Sequence, residues 1–200
     1  MQRQQTHGTS AIDPNAHYTY RDYKTWPEDE RWELINGKAV PLYGMSPSPR
    51  LPHQKLAGKL YAQLDAFFEG KPCHPFISPV DVFFPKSGEA LDESDQVVQP
   101  DLFVVCDQAK LSDEGIRGAP DFIIEILSPS TALRDQSEKR ALYEEGGVRE
   151  YWIVNPDTLE AFLYTLKDGS YGLPRVADLR EPTPSSIFLG LTLKARKADL

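Results

Sequence analysis

Two short and almost wholly apolar runs lie in the middle of the chain. Residues 122–127 read Phe-Ile-Ile-Glu-Ile-Leu, and residues 102–106 read Leu-Phe-Val-Val-Cys. Runs of this length, bounded by proline and polar residues, predict strands that are buried on both faces of a sheet. Each run also brings one acid into apolar surroundings, where an uncompensated charge is costly. These acids are Glu125, inside one run, and Asp101, directly before the other.

Helical spacing of apolar residues predicts the helices. One pattern runs from His53 to Glu69, and Gly70 is the expected C-terminal cap. A second helix is predicted from Leu133 to Glu145, where Gly146-Gly147 would end it. Its candidate N-caps are Ser130 and Thr131, and a short helix is expected between Asn15 and Tyr23.

The remaining strands follow from alternation and turn residues. Trp32 to Val40 predicts a β-hairpin, because Asn-Gly at positions 36 and 37 favours a tight turn between strands. The other predicted elements are a strand over Ile77 to Phe84, a strand over Tyr151 to Val154, and a hairpin from Leu159 to Tyr171 around Asp168-Gly169. The polar segments Lys86 to Gln96 and Asp107 to Ala119 are predicted to be loops.

This order of elements predicts an α/β fold, with a mixed β-sheet flanked by helices and an N-terminal hairpin. Residues 1–16 are polar and aperiodic, so we expect them to be disordered or loosely ordered. Residues 17–200 are expected to form a single domain, since no linker or internal repeat divides them.

The overall composition is that of an ordinary soluble globular protein. Of the 200 residues, 40% are hydrophobic and 26% are charged, and the formal net charge is −8. This charge counts against a nucleic-acid binder that uses its whole surface, because phosphate contacts need clustered Lys and Arg. A local basic cleft stays compatible with it.

The chain has two cysteines and neither an apolar membrane-spanning stretch nor a signal-peptide pattern. Cys73 and Cys106 are too few for a disulfide framework or a cysteine-ligated zinc site, and Cys106 is interpreted as a small core residue. No apolar stretch reaches 18 residues, and the N-terminus has no apolar signal core. We therefore expect a soluble cytoplasmic protein that does not enter a membrane.

The two acids are the candidate chemistry. If their strands are neighbours in one sheet, Asp101 and Glu125 converge at one point. Two facing carboxylates repel, so that either one is protonated or a cation lies between them. Oxygen ligands suit Mg²⁺ or Mn²⁺, and the backbone carbonyl of Ile126 could add a further oxygen. The pattern thus predicts a metal site.

The second helix supplies two more candidates, Asp135 and Lys139, which lie four residues apart and therefore on one face. A lysine beside a metal can orient or deprotonate an attacking water and offset charge on a phosphate. Structural interpretations stay open for each residue. Glu125 could pair with Lys139 or Arg134 only for stability, Asp101 could be a turn residue, and Asp135 with Lys139 could be an exposed helix pair.

Several short motifs together form a pattern that is typical of one protein family. They are Gln99-Pro100-Asp101-Leu102, the run from Pro120 to Thr131, Asp135 with Lys139, Tyr143, Gly147-Val148, and the run from Glu150 to Val154. On these motifs the chain resembles the Uma-two (Uma2) family of restriction-endonuclease-like proteins, which belongs to the PD-(D/E)XK nuclease superfamily. The resemblance extends from about Trp32 to Trp152 and includes the hairpin and the His53-Gln54 helix start.

The resemblance implies a restriction-endonuclease-like core and metal-dependent hydrolysis of phosphodiester bonds. Asp101 matches the aspartate of the superfamily motif, and Glu125 matches its second acid. The superfamily lysine falls two residues after that glutamate, where this chain has Leu127. The resemblance indicates Lys139 as the replacement, and Glu33 resembles an extra acid that helps to hold metal.

Three functions are therefore compared. The first is a Mg²⁺- or Mn²⁺-dependent endodeoxyribonuclease that acts on DNA, with Asp101, Glu125 and Lys139 as catalytic residues and with Glu33, His53 and Asp135 as possible helpers. The second is a nuclease-fold protein that no longer cleaves and instead binds or regulates. The third is a glycosidase with two carboxylates, which would not depend on metal. A homodimer is expected only by analogy with nucleases that cut both strands.

Overall fold

The computed structural model describes residues 12–13, 15–27, 30–42, 51–128 and 136–197. Some predictions fall on other positions and lie outside the described residues. They are the state of residues 1–11, the helix caps Ser130 and Thr131, and the helper role of Asp135.

The described residues contain three α-helices and fourteen strands. The helices are α1 (Tyr20–Tyr23), α2 (Leu51–Phe68) and α3 (Glu138–Gly146). The first eight strands are β1 (Trp32–Ile35), β2 (Lys38–Pro41), β3 (His74–Ile77), β4 (Val82–Phe83), β5 (Val97–Val98), β6 (Leu102–Val105), β7 (Leu111–Ser112) and β8 (Gly115–Arg117). The last six are β9 (Phe122–Ile126), β10 (Glu150–Val154), β11 (Glu160–Thr165), β12 (Arg175–Asp178), β13 (Thr183–Pro184) and β14 (Thr192–Leu193).

The strands of the described residues form two six-stranded sheets and one small pair. The N-terminal sheet has the order β2-β1-β5-β4-β8-β7, and the central sheet has the order β12-β11-β10-β9-β6-β3. Strands β13 and β14 pair separately. In the central sheet β9 is antiparallel to β6 and parallel to β10, so the sheet is mixed. The chain between β9 and β10 includes α3, as a parallel pair requires a crossover.

The two faces of the central sheet lie in different cores, because side chains alternate along each strand. On one face Phe122, Ile124 and Ile126 of β9 pack in a cluster with the buried stripe of α2. On the other face Ile123 packs in a cluster with residues of the N-terminal sheet and with α3, among them Tyr143. The molecule is therefore layered as α2, the central sheet, and then the N-terminal sheet with α3.

Local sequence signals place several elements correctly. Asn36 and Gly37 both have positive φ, 53° and 71°, in the turn that joins β1 and β2. Helix α2 and the strands β6, β9 and β10 lie where the apolar patterns predict them. Gly147 follows α3 in the left-handed conformation, as expected for a helix stop. The predicted α/β class with a mixed sheet and an N-terminal hairpin is confirmed.

The predicted strand from Ile77 to Phe84 is wrong. Strand β3 ends at Ile77 in the central sheet, whereas β4 begins at Val82 in the N-terminal sheet. Pro79 lies between them and has no backbone N–H for a sheet hydrogen bond. The chain crosses there from one sheet to the other, so one apolar segment contributes to two sheets.

Two further expectations need correction. The segment from Asp107 to Ala119, predicted as a loop, contains β7 and β8, which form the edge hairpin of the N-terminal sheet. The C-terminal hairpin does turn at Asp168-Gly169, but the strand that pairs with β11 is β12 and not the segment at Tyr171. Tyr171 is instead buried, and its hydroxyl donates to the carbonyl of Val148 at 2.9 Å.

The two cysteines are joined to each other. Cys73 and Cys106 form a disulfide, although the sequence suggested only a small core residue at position 106. Antiparallel pairing of β3 with β6 places His74 opposite Val105, so the next pair outward is Cys73 and Cys106. Disulfides are rare in cytosolic proteins, and the cytoplasmic location stays a prediction.

None of the helices in the described part of the chain is long and apolar enough to cross a bilayer.

The disulfide closes a loop of 33 residues and should stabilise the fold. We expect the Cys73→Ala/Cys106→Ala double variant to lose about 3–4 kcal/mol of unfolding free energy, on the chain-entropy estimate for a loop of this size. Urea unfolding of both proteins under non-reducing conditions measures the loss. Two titratable thiols in the denatured, unreduced wild-type protein would contradict the pairing.

Candidate functional site

The candidate site begins where β6 and β9 lie side by side. Leu102 pairs with Ile124 in the antiparallel register, so Asp101 is placed beside Glu125 at the end of both strands. The backbone N–H of Asp101 donates to Oε2 of Glu125 at 3.3 Å. The two acids, separated by 24 residues in the chain, therefore meet in space.

A lysine ammonium supplies the positive charge next to Glu125. Nζ of Lys139, on α3, donates to Oε1 of Glu125 at 2.9 Å. The hydroxyl of Tyr143, one helical turn further along α3, donates to the same oxygen at 2.7 Å. Lys139, Leu142 and Tyr143 are the buried residues of α3, so that one helix face carries both donors into the core.

A third acid reaches the same ammonium from the other sheet. Oε1 of Glu33, on β1, lies 2.8 Å from Nζ of Lys139. The same oxygen accepts the backbone N–H of Gln99 at 2.9 Å. Glu33 is fully buried, and the side chains of Lys139 and Glu125 are only 3% and 4% exposed. The lysine thus joins the N-terminal sheet to the central sheet.

Asp101 lies at the more accessible side of the site. Its Oδ2 accepts the backbone N–H of Ile126 at 2.8 Å and lies 3.1 Å from Nε2 of His53. His53 belongs to the first turn of α2 and is largely buried. The side chain of Asp101 is 21% exposed, far more than that of Glu125. A ligand from solvent would therefore meet Asp101 first.

Burial dominates the electrostatics of Tyr143. Burial raises the pKa of its phenol well above the usual value, and the negative charge of Glu125 raises the pKa further. The phenol consequently stays protonated near neutral pH and can act as a hydrogen-bond donor to Glu125.

The structure brings five of the six predicted site side chains into one connected cluster. Glu33, Lys139 and Glu125 form its sealed part, whereas Asp101 is partly exposed and contacts the largely buried His53. Asp135 lies outside the described residues. The catalytic roles of these residues stay predictions, as does metal ligation by the carbonyl of Ile126.

Position 127 departs from the superfamily pattern. Leu127 is partly buried and packs against the core shared by the two sheets and α3. The ammonium that contacts Glu125 instead comes from Lys139 on the following helix. The predicted alternative in which Glu125 pairs with Lys139 is therefore present as a contact. The other predicted partner, Arg134, lies outside the described residues.

Two contributors were named in the sequence analysis only as parts of the family motifs, with no function assigned to them. Tyr143 follows Lys139 by four residues, so helical spacing could have identified it as a second donor on the same face. The backbone N–H of Gln99 could not be identified in this way, because its bond to Glu33 depends on how β1 and β5 pair.

The fit of a divalent ion can be judged from the donor chemistry. The described residues contain no group of three or more His, Cys, Asp or Glu side chains arranged to hold a metal. Asp101 and Glu125 nevertheless present hard carboxylate oxygens on adjacent strands, one of them accessible to solvent. Mg²⁺ characteristically binds one or two carboxylates and keeps several waters. The donor set therefore fits Mg²⁺ or Mn²⁺.

Removal of the lysine charge should destabilise the protein. In Lys139→Met, Glu33 and Glu125 stay buried without their shared countercharge, which costs about 3–5 kcal/mol. Urea unfolding measures this loss. Lys59→Met, at an exposed position of α2, is the matched control and should stay within about 0.5 kcal/mol of wild type. Equal effects of the two substitutions would contradict the buried ion pairs.

Tyr143 should resist ionisation in alkaline solution. Its pKa is raised in the folded protein, so its contribution to stability is present below about pH 10 and is lost as pH rises through and above that value. We expect absorbance titration at 295 nm to show equal phenolate signals for folded wild type and Tyr143→Phe. The signal of one additional tyrosine should appear in wild type only on unfolding. A larger signal from the folded wild type would contradict the buried, protonated phenol.

Comparison with solved structures supports the same architecture. A crystal structure from Anabaena variabilis, described as that of a "putative nuclease belonging to DUF820", matches with a TM-score of 0.67. The match covers 90% of this chain and 96% of that chain, at 20% sequence identity. At this identity the likeness shows the fold alone.

Sequence comparison identifies the family. No curated protein matches the chain. A family model described as "Putative restriction endonuclease" matches residues 20–196, which is most of the chain and includes every described site residue. The chain therefore belongs to the Uma2 family.

Proposed function

We propose that this protein is a metal-dependent endonuclease that hydrolyses phosphodiester bonds of DNA. The observation that carries the proposal is the meeting of Asp101 and Glu125 on adjacent strands, with the ammonium of Lys139 at Glu125. Membership of the Uma2 family supports nuclease chemistry. The related fold of a protein described as a nuclease is consistent with it.

Asp101, Glu125 and the carbonyl of Ile126 are the proposed ligands of Mg²⁺ or Mn²⁺. When bound, such an ion supplies Lewis-acid stabilisation of the phosphate and lowers the pKa of a coordinated water. The bond from the Ile126 N–H keeps the Asp101 carboxylate at the end of β9. His53 contacts the same oxygen of Asp101 and limits the rotation of that carboxylate further.

Lys139 has two proposed roles. Its bond to Oε1 of Glu125 orients that carboxylate and leaves Oε2 facing Asp101. Its positive charge also offsets the negative charge that develops on the phosphate during hydrolysis. Glu33, on the other large sheet, contacts the same ammonium, and the hydroxyl of Tyr143 also orients Glu125.

The proposed substrate is DNA, in spite of the net charge of −8. An acidic surface repels DNA phosphates and weakens non-specific binding, so productive binding would depend on the local charge of the site. Cleavage of both strands would be aided by a homodimer with two sites, and sedimentation in the presence of DNA would test this association.

A nuclease-fold protein without cleavage activity is the second candidate. The observation that favours it is the number of internal bonds at the acids: Oε1 of Glu125 accepts from Lys139 and Tyr143, and Oδ2 of Asp101 accepts from Ile126. Such a cluster can serve stability alone. This candidate predicts nucleic-acid binding that is unchanged in Glu125→Gln.

Metal-dependent cleavage tests the first candidate. We expect wild type to nick supercoiled plasmid with Mg²⁺ or Mn²⁺ and to stop when the ion is chelated. Asp101→Asn and Glu125→Gln should reduce the rate by about 100-fold or more, since each removes charge stabilisation from the site. Asp65→Asn, on the exposed face of α2, is the control and should cleave as wild type does.

Calorimetric titration with Mn²⁺ separates the two candidates. Binding by wild type that is lost in Asp101→Asn and kept in Asp65→Asn would support the nuclease. Absence of both cleavage and Mn²⁺ binding in well-folded wild type would favour the binding protein. Cleavage that persists in a strong chelator would contradict a metal-dependent mechanism.

A further inference from the structure

Gln99 contacts a buried carboxylate of the site, that of Glu33, through its backbone. Through its side chain it belongs to a separate polar network. It follows β5 directly and precedes Asp101 by two residues. Its backbone N–H donates to Oε1 of Glu33 at 2.9 Å, and that oxygen also contacts the Lys139 ammonium. The backbone of Gln99 is therefore one hydrogen bond away from the ion pairs of the site.

The side-chain amide of Gln99 is held at both of its polar atoms. Its Oε1 accepts from the guanidinium of Arg31, with Nε at 2.9 Å and a second contact from Nη2. Its Nε2 donates to Oδ1 of Asp81 at 2.8 Å and to the hydroxyl of Tyr23 at 3.2 Å. The hydroxyl of Tyr23 donates in turn to the same Asp81 oxygen at 3.1 Å. The amide thus has one orientation that satisfies all of its partners.

The same network reaches the backbone of Asp101. Nη2 of Arg31 also donates to Oγ of Ser78 at 2.8 Å. The backbone N–H of Ser78 donates to the carbonyl of Asp101 at 3.0 Å. Arg31 therefore contacts Gln99 directly and is linked to Asp101 through Ser78, so that it connects the two ends of the Gln99-Pro100-Asp101 segment. Pro100 adds stiffness, because the residue before a proline is confined to extended conformations.

The side chains of Asp81 and Tyr23 in this network are largely shielded from water, which makes its hydrogen bonds costly to break. Burial raises the pKa of Asp81, while the hydrogen bonds from Gln99 and Tyr23 and the charge of Arg31 lower it in part. Burial and the nearby Asp81 raise the pKa of Tyr23. Hydrogen bonds in such surroundings are costly to break, since a group that loses its partner is not fully hydrated.

We propose that Gln99 is a positioning residue for the site. Its clamped amide fixes the segment before Asp101, so that its own N–H holds Glu33 and Glu33 holds the Lys139 ammonium against Glu125. The structural part of this inference stands on the contacts alone, whereas its consequence for catalysis rests on the proposed nuclease function.

Gln96 provides a matched control in the same segment. Gln96 is buried, whereas Gln99 is partly buried, and the side-chain amide of Gln96 is likewise held at both polar atoms. Its Nε2 donates to Oδ1 of Asn36 at 2.8 Å, and its Oε1 accepts the backbone N–H of Asn36 at 3.0 Å. These side-chain bonds run to the β1–β2 turn, whereas those of Gln99 run to Arg31, Asp81 and Tyr23. Gln96→Leu and Gln99→Leu therefore remove similar amides with different neighbours.

The ammonium of Lys139 gives a readout that does not need activity. A buried, ion-paired ammonium exchanges its protons slowly and can be observed in a ¹H–¹⁵N correlation spectrum, where Lys139→Met assigns it by loss of the signal. We expect Gln99→Leu to speed proton exchange of this ammonium about tenfold, the factor that corresponds to loss of roughly one hydrogen bond. Gln96→Leu should leave the exchange rate unchanged.

Turnover gives the second readout. We expect Gln99→Leu to lower kcat about tenfold with KM for plasmid DNA unchanged, while Gln96→Leu keeps wild-type kcat. Asp81→Asn retains the oxygen that accepts from Gln99 and should preserve the ammonium exchange rate, whereas Asp81→Leu should speed it. This pair of variants supplies the same test if Gln99→Leu does not fold.

The outcomes separate this inference from the proposed function. Faster ammonium exchange in Gln99→Leu or Asp81→Leu, in a protein whose wild type does not cleave DNA, would support positioning by Gln99 and count against the nuclease. Ammonium exchange that is unchanged in those variants, or changed equally in Gln96→Leu, would overturn the positioning role even if wild type cleaves.

Discussion

One buried ammonium, that of Lys139, holds the site together. It lies within 2.9 Å of two carboxylate oxygens, one on each of the two large sheets, and all three side chains are almost fully removed from solvent. Three charges in such a place are stable only as a set, since removal of water from each ion is expensive and mutual attraction must offset it. The buried carboxyl groups of Glu33 and Glu125 therefore depend on α3, which carries the ammonium that both of them contact. The same ion pairs thus hold the two sheets together and set the geometry of the site.

The site divides into a sealed half and an accessible half. Glu33 and Glu125 are closed off, whereas Asp101, one strand away, is in partial contact with solvent. Backbone donors reach both halves: the N–H of Gln99 binds Glu33, and the N–H of Ile126 binds Asp101. Because these donors belong to the sheet framework, the carboxylates are oriented before any ligand arrives, which is the arrangement that favours preorganised chemistry.

Position 127 holds a leucine where the resembled pattern has a lysine, and the structure brings a different lysine to Glu125. The superfamily pattern that the chain resembles places a lysine two residues after the glutamate, on the same face of the strand, but here Leu127 packs into the core. Lys139 brings an ammonium to the same carboxylate from α3. The proposed chemistry would use a positive charge at Glu125, and in this structure that charge comes from a helix that packs on the same face of the sheet.

The sequence by itself determined the elements whose causes are local. Asn36-Gly37 specifies its turn, the stripe of α2 specifies a helix, and the apolar run around Glu125 specifies a central strand, because turn chemistry and side-chain periodicity act over a few residues. Only the tertiary structure decided that the strands divide between two sheets, that Glu33 shares the lysine with Glu125, and that Cys73 meets Cys106. Such contacts join residues far apart in the chain, and they depend on how sheets and helices pack, which no local pattern records.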